Sequence, residues 1–147
     1  MTEKDGDLWD EFVAKSPQGT IFQKAAYLKC YTEVFKRQLL KIVITKDDQL
    51  LAALPLLPKK TGWISYTTSP YLIPYNGLLF FENPKDLNYL KQIKLFNKVA
   101  EEILEYIQKN YHFFEMYLSN SLPDLRVFVW KQWQFNPDYT IEVPLEG

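Results

Sequence analysis

Apolar residues recur at helical spacing along the first part of the chain and then give way to short branched runs. That change of period divides the molecule. Leu8, Trp9, Phe12 and Val13 fall on one helical stripe that ends near Ser16 and Pro17. After the turn "SPQGT" a second helix is predicted over residues 23–35. Its Tyr27, Tyr31, Val34 and Phe35 stand at i, i+4, i+7 and i+8, the spacing of a buried face. The runs "LLKIVITK" (39–46) and "LLAALPLL" (50–57), joined by "DDQ", read as a β-hairpin. Pro55 has no N–H to give a ladder and is expected at a bulge or on an edge-facing position. Residues 62–68 and 77–81 supply a third and a fourth strand.

The longest helix is predicted over residues 87–110, with Ile93, Phe96, Ala100, Ile103 and Ile107 as its apolar stripe. "YHFFEMYLS" (111–119) is apolar on both faces, as in the middle of a covered sheet. Residues 120–133 open with cap-type residues and an early proline, then read as a helix. Residues 138–145 alternate Tyr139, Ile141, Val143 and Leu145 against Thr140, Glu142 and Pro144. The resulting order, α-α-β-β-β-β-α-β-α-β, implies one α/β (α+β layered) domain over residues 1–147. An antiparallel meander comes first, then helical crossovers into strands that can run parallel.

Charge narrows the function classes. Seventeen Lys and Arg balance 18 Asp and Glu without a basic cluster, which argues against nucleic acid as a partner. Residues 61–81 carry no charge, but Pro70, Pro74, Asn76 and Gly77 interrupt them, so they do not read as a membrane span. The N-terminus is acidic and lacks a signal-peptide pattern, and the chain reads as cytoplasmic and soluble.

Glycine excludes more. The five glycines stand at 6, 19, 62, 77 and 147, too far apart for a loop that wraps a phosphate chain in backbone amides. No Walker loop and no dinucleotide fingerprint can be drawn. His112 is the lone histidine and reads as a packing or strand-end residue. Cys30 reads as a small buried hydrophobe. No carboxylate cluster has metal-ligand spacing, so no metal is expected. Glu115 interrupts an otherwise apolar strand, where burial would raise its pKa toward general-base range. The alternative is a solvent-facing structural carboxylate.

Several stretches together resemble one family. "WDEFVAKSPQGTIFQKAAYL" (9–28) resembles the opening of FemAB-like proteins, of the acyl-CoA N-acyltransferase (GNAT) superfamily. "LLAALPLLPKK" is similar to their second hairpin strand, "SPYLIPYNGLL" to their S-P-(x)n-Y-x-G segment, and "VWKQWQFNPDYTIEVPL" to the ending of one domain unit. The resemblance implies a GNAT-like mixed sheet with helices on both faces, and the first half of a two-domain protein. Two departures stand out. The superfamily's R/Q-x-x-G-x-G/A pyrophosphate loop would fall near residues 82–90, where this chain has "ENPKDLNYL", and Trp133 stands where the family ending usually has Gly.

With those departures, the resemblance implies the N-terminal domain of an N-acyl- or aminoacyltransferase that contributes acceptor binding rather than donor binding. Its reaction would be attack of an acceptor amine on a thioester or ester carbonyl. The domain itself would bind no cofactor, while acyl-CoA or aminoacyl-tRNA would serve the full-length protein. Its partners would be a second GNAT-like domain and a small-molecule or peptide amine, and the isolated domain would be prone to self-association.

In that reading the uncharged loop "TTSPYLIPYNGLLF" (67–80) walls the substrate cleft. Tyr71, Tyr75 and Asn76 would be contacts, and Lys36, Arg37 and Lys131 would be available to an acidic acceptor. The alternative makes the loop a packed cover over a sheet edge and the basic residues a solvated surface. At the level of function the alternative is a non-catalytic binding or interaction module on the same fold.

Overall fold

The computed structural model describes residues 3–47, 49–81, 88–122, 124–139 and 141. Two helices, α1 (Glu3–Lys15) and α2 (Ala25–Phe35), come first, linked by a 3₁₀ turn at Ile21–Gln23. Strands β1 (Leu40–Lys46) and β2 (Gln49–Leu56) form the expected hairpin. Then come β3 (Lys59–Thr61), β4 (Ile64–Thr67) and β5 (Leu79–Phe80). The long helix α3 (Tyr89–Asn110), β6 (Phe113–Phe114) and α4 (Arg126–Trp130) complete the described elements.

The expected α/β layering is present, but the strands form two sheets instead of one. The first has the order β1-β2-β5 and is antiparallel. The second has the order β3-β4-β6, with β4 and β6 parallel. Pro58 lies between β2 and β3, and its missing N–H interrupts the ladder where the chain passes from one sheet to the other. Pro55 takes the edge option: β5 pairs with β2 only at Ala52 and Ala53, and the one bulge is at Ile44/Thr45.

Helices cover both faces of the first sheet. Along β2 the pleat sends Ala52, Leu54 and Leu56 into one cluster with Phe96, Ile103 and Leu104 of α3 and Phe128 of α4. Ala53 and, just past the strand, Leu57 point the other way, into a cluster with Trp9, Phe12 and Val13 of α1 and Leu28 and Tyr31 of α2. All five residues of the predicted α3 stripe are buried. Asn88 starts that helix, its Oδ1 accepting the Lys91 N–H at 3.0 Å.

Several expectations fail locally. β6 is two residues long and an edge strand, with Phe113 exposed, so residues 111–119 are no covered central strand. The helix expected over 120–133 shrinks to α4. Asp124 turns its carboxylate back onto the Arg126 N–H (2.9 Å), and Gln132 takes a positive φ of 62° just beyond the helix. Asp138, Tyr139 and Ile141 lie in no strand, and the rest of 138–145 falls outside the described residues. Val34 and Phe35, expected on the buried face of α2, are exposed, and Cys30 is exposed rather than buried.

Candidate functional site

The uncharged loop is tied down along its length, and most of the ties join a main-chain group to a side chain. At its start Glu115 donates its N–H to Thr67 O (3.0 Å), while its carboxylate accepts the Ser69 N–H (3.1 Å). Ile73 then donates to Pro70 O (3.2 Å), closing a turn with Tyr71 and Leu72 at its corners. Leu72 has φ 65°, a left-handed conformation that costs a branched side chain roughly 1–2 kcal/mol. Its carbonyl is held by the Tyr27 hydroxyl at 2.9 Å.

The second half of the loop packs inward. Ile73 is buried, and buried Asn76 accepts the Tyr117 N–H on its Oδ1 at 2.8 Å. Gly77 follows because no side chain fits: a Cβ there would lie 2.7 Å from Tyr117 O. Gln23 reaches the Gly77 carbonyl (3.4 Å), accepts from Thr20 N (3.0 Å), and offers its own carbonyl to the Trp9 indole N–H (2.7 Å). Gln18 accepts the Phe80 N–H (3.0 Å) and donates to Ser121 O (3.0 Å). The two glutamines of "SPQGTIFQ" escape sequence reasoning about function. The signal that could have found them is two amide side chains flanking a glycine in an apolar neighbourhood, where each, once buried, must find a main-chain partner.

Of the predicted contact residues, the fold brings Tyr71 and Arg37 to one surface through Tyr31. The Tyr31 hydroxyl lies within electrostatic reach of both the Arg37 charge and the Tyr71 main chain. Burial holds the Tyr31 phenol above its ordinary pKa, with Arg37 opposing and Tyr27 adding to the rise. Tyr71 is 74% exposed and Leu72 59%; the exposed Phe35 ring centroid lies 4.4 Å from that of Tyr31. Lys36 caps α2 in a left-handed conformation, exposed at the same helix end.

The other predicted residues are placed differently. Tyr75 is half-buried, and Asn76 is committed to the Tyr117 main chain. Lys131 belongs to the opposite face of the first sheet, bound to Glu101 at 2.7 Å and Glu105 at 2.8 Å, so it is already paired. Donating to those carboxylates raises its pKa. Glu115 is exposed and holds the loop, so the burial that would have tuned it as a base is absent. His112 is exposed at the start of β6, where its Nδ1 accepts the Ser65 N–H (3.2 Å) beside the Trp63 ring. Among the described residues no group of three His, Cys, Asp or Glu could hold a metal ion. No helix among them is long and apolar enough to cross a membrane.

At the amino end of α3, where a diphosphate would need open amides, the Lys91 N–H is already taken by Asn88. Residues 82–87, where the superfamily's pyrophosphate loop would fall, lie outside the described residues.

No family model and no curated protein matches the sequence. Solved structures do resemble the fold. A possible acetyltransferase from Clostridium difficile 630 shares 14% identity at a TM-score of 0.52, covering 100% of this chain and 95% of that one. FemX shares 16% identity at a TM-score of 0.37; 72% of this chain is covered, spanning 23% of FemX. An aminoglycoside antibiotic 6'-N-acetyltransferase from Acinetobacter haemolyticus shares 12% identity at a TM-score of 0.38, with 100% and 95% covered. The first of these shows the fold: this chain shares the α/β arrangement of that possible acetyltransferase.

Proposed function

We propose that this chain is the acceptor-side domain of a FemAB-like N-acyl- or aminoacyltransferase, and that the surface made by Tyr71, Leu72 and Arg37 receives the acceptor. The observation that carries the reading is the loop itself. A main chain fixed at Ser69, Leu72, Asn76 and Gly77 presents Tyr71 and Leu72 to solvent beside a guanidinium. Such preorganisation lowers the ordering cost of binding. The quoted sequence motifs support the family, and the fold supports an acyltransferase-type scaffold.

Donor binding belongs elsewhere in this reading. The capped start of α3 and the scarcity of glycine argue against a diphosphate site, and an acyl-CoA or aminoacyl-tRNA donor would be held by a second domain. The acceptor amine would attack the donor carbonyl at the junction of the two. One observation favours the non-catalytic alternative, a GNAT-fold binding module: Glu115 and His112 are both engaged with main-chain amides, and no nucleophile–base pair is assembled among the residues described.

The acceptor surface is tested by an NMR titration of the ¹⁵N-labelled chain with trialanine, a probe with one free amine and one carboxylate. Shifts clustered at Tyr71, Leu72 and Arg37, and lost in Arg37→Ala, are the expected result. No saturable shift, or shifts confined to another surface, would contradict the assignment.

A further inference from the structure

On the far side of the first sheet a groove of about 390 Å³ runs between α3 and the end of α4, and it shares nothing with the loop surface. Its size is within the range that holds a small ligand, roughly 300–1,000 Å³. Lys94 and Lys98 line it from α3, four residues apart, so their side chains overhang the same stretch. Both are exposed, and no carboxylate among the described residues is within ion-pair distance of either. Lys131, also in the lining, is paired with Glu101, which lines the groove too, and with Glu105, so that trio carries one net negative charge. The unpaired positive charge of the groove is that of Lys94 and Lys98.

Two further groups are polarised toward one kind of ligand. Trp130 lines the groove and is 64% exposed, an aromatic surface large enough to stack a ring. Asn97 lines it from α3. Asn97 Oδ1 is left buried without a hydrogen-bond partner among the described residues. A buried acceptor in that state is stabilised by any donor that reaches it.

We propose that this groove binds a small aromatic anion, its ring on Trp130, its carboxylate or phosphate between Lys94 and Lys98, and an N–H or O–H donor turned toward Asn97 Oδ1. The site is separate from acceptor binding and stands or falls independently of it.

The probe is 4-aminophenyl phosphate, which carries ring, dianion and donor, titrated into the full chain at constant ionic strength and followed by NMR. The expected result is saturable shifts at the Trp130 indole N–H, the Asn97 side-chain amide and residues 94–98. Charge reversal in Lys94→Glu/Lys98→Glu is expected to weaken binding at least about tenfold, with Lys98→Gln as a milder variant should the double one misfold. Phenyl phosphate, lacking the donor, binds more weakly, and inorganic phosphate more weakly still. The proposal is overturned by an absence of saturable shifts, by unchanged affinity in the lysine variants, or by inorganic phosphate binding as well as the probe. Coenzyme A binding there with the same lysine dependence also overturns it, by making the groove a donor site.

Discussion

The two faces of the first sheet are held by different means. Against α3 and α4 the core is built from Leu54, Leu56, Phe96, Ile103, Leu104 and Phe128. Against α1 and α2 the apolar cluster is supplemented by Gln18, Gln23, Tyr27 and Asn76, each hydrogen-bonded to the main chain of a distant segment. Regular elements satisfy their own amides and need only packing. An irregular loop does not, so side-chain amides must supply what a ladder would have supplied. The first face provides stability, and the second provides a main chain held in a chosen shape with Tyr71 and Leu72 displayed on it.

The largest effect should come from the apolar face. Phe128→Ala empties a fully buried site and is expected to cost about 3–5 kcal/mol, read from urea unfolding. A loss below about 1 kcal/mol would mean that α4 is not part of that core, and the contrast between the faces would weaken.

Asp124 comes next. Its side chain is 7% exposed, and the Arg126 guanidinium, assisted by the Arg126 N–H and Asn97, depresses its pKa to about 2 from an ordinary 3.8. A depressed folded-state pKa means the carboxylate stabilises the fold fully above about 3.8 and loses that contribution as pH falls through about 2. Asp124→Asn should lose about 1–3 kcal/mol near neutral pH and show a flatter acid limb over that window. A variant whose acid limb matches the parent's would remove Asp124 from the account.

The smallest change tests the polar face. Tyr27→Phe removes the hydroxyl that holds Leu72 O and is expected to cost about 0.5–1.5 kcal/mol of stability. It should also raise amide hydrogen exchange at residues 71–73 while leaving α3 unaffected. Equal loosening of α3 would show that the loop and the apolar core are one cooperative unit.

The sequence carried the regular elements well, because periodicity reports burial directly. The stripe Ile93, Phe96, Ala100, Ile103, Ile107 and the hairpin of residues 39–57 lie where apolar spacing puts them. It carried the sheet division poorly. "YHFFEMYLS" has the composition of a central strand, but which strand neighbours it is a tertiary fact, and here it borders β4 at a sheet edge. Site residues were legible as types rather than as roles. Tyr, Asn and Gly in the loop were visible, yet only the fold shows Asn76 spent on Tyr117, Lys131 spent on two glutamates, and Tyr31 within electrostatic reach of Arg37 and Tyr71. A hydrogen bond between residues far apart in the chain leaves no periodic trace.

The division of labour between acceptor and donor is tested most directly by calorimetric titration of the 147-residue chain with acetyl-CoA. The account predicts no binding heat beyond dilution, because Asn88 already takes the Lys91 amide at the start of α3 and the sequence has no glycine-rich loop to offer its amides. Saturable binding in the micromolar range would contradict it.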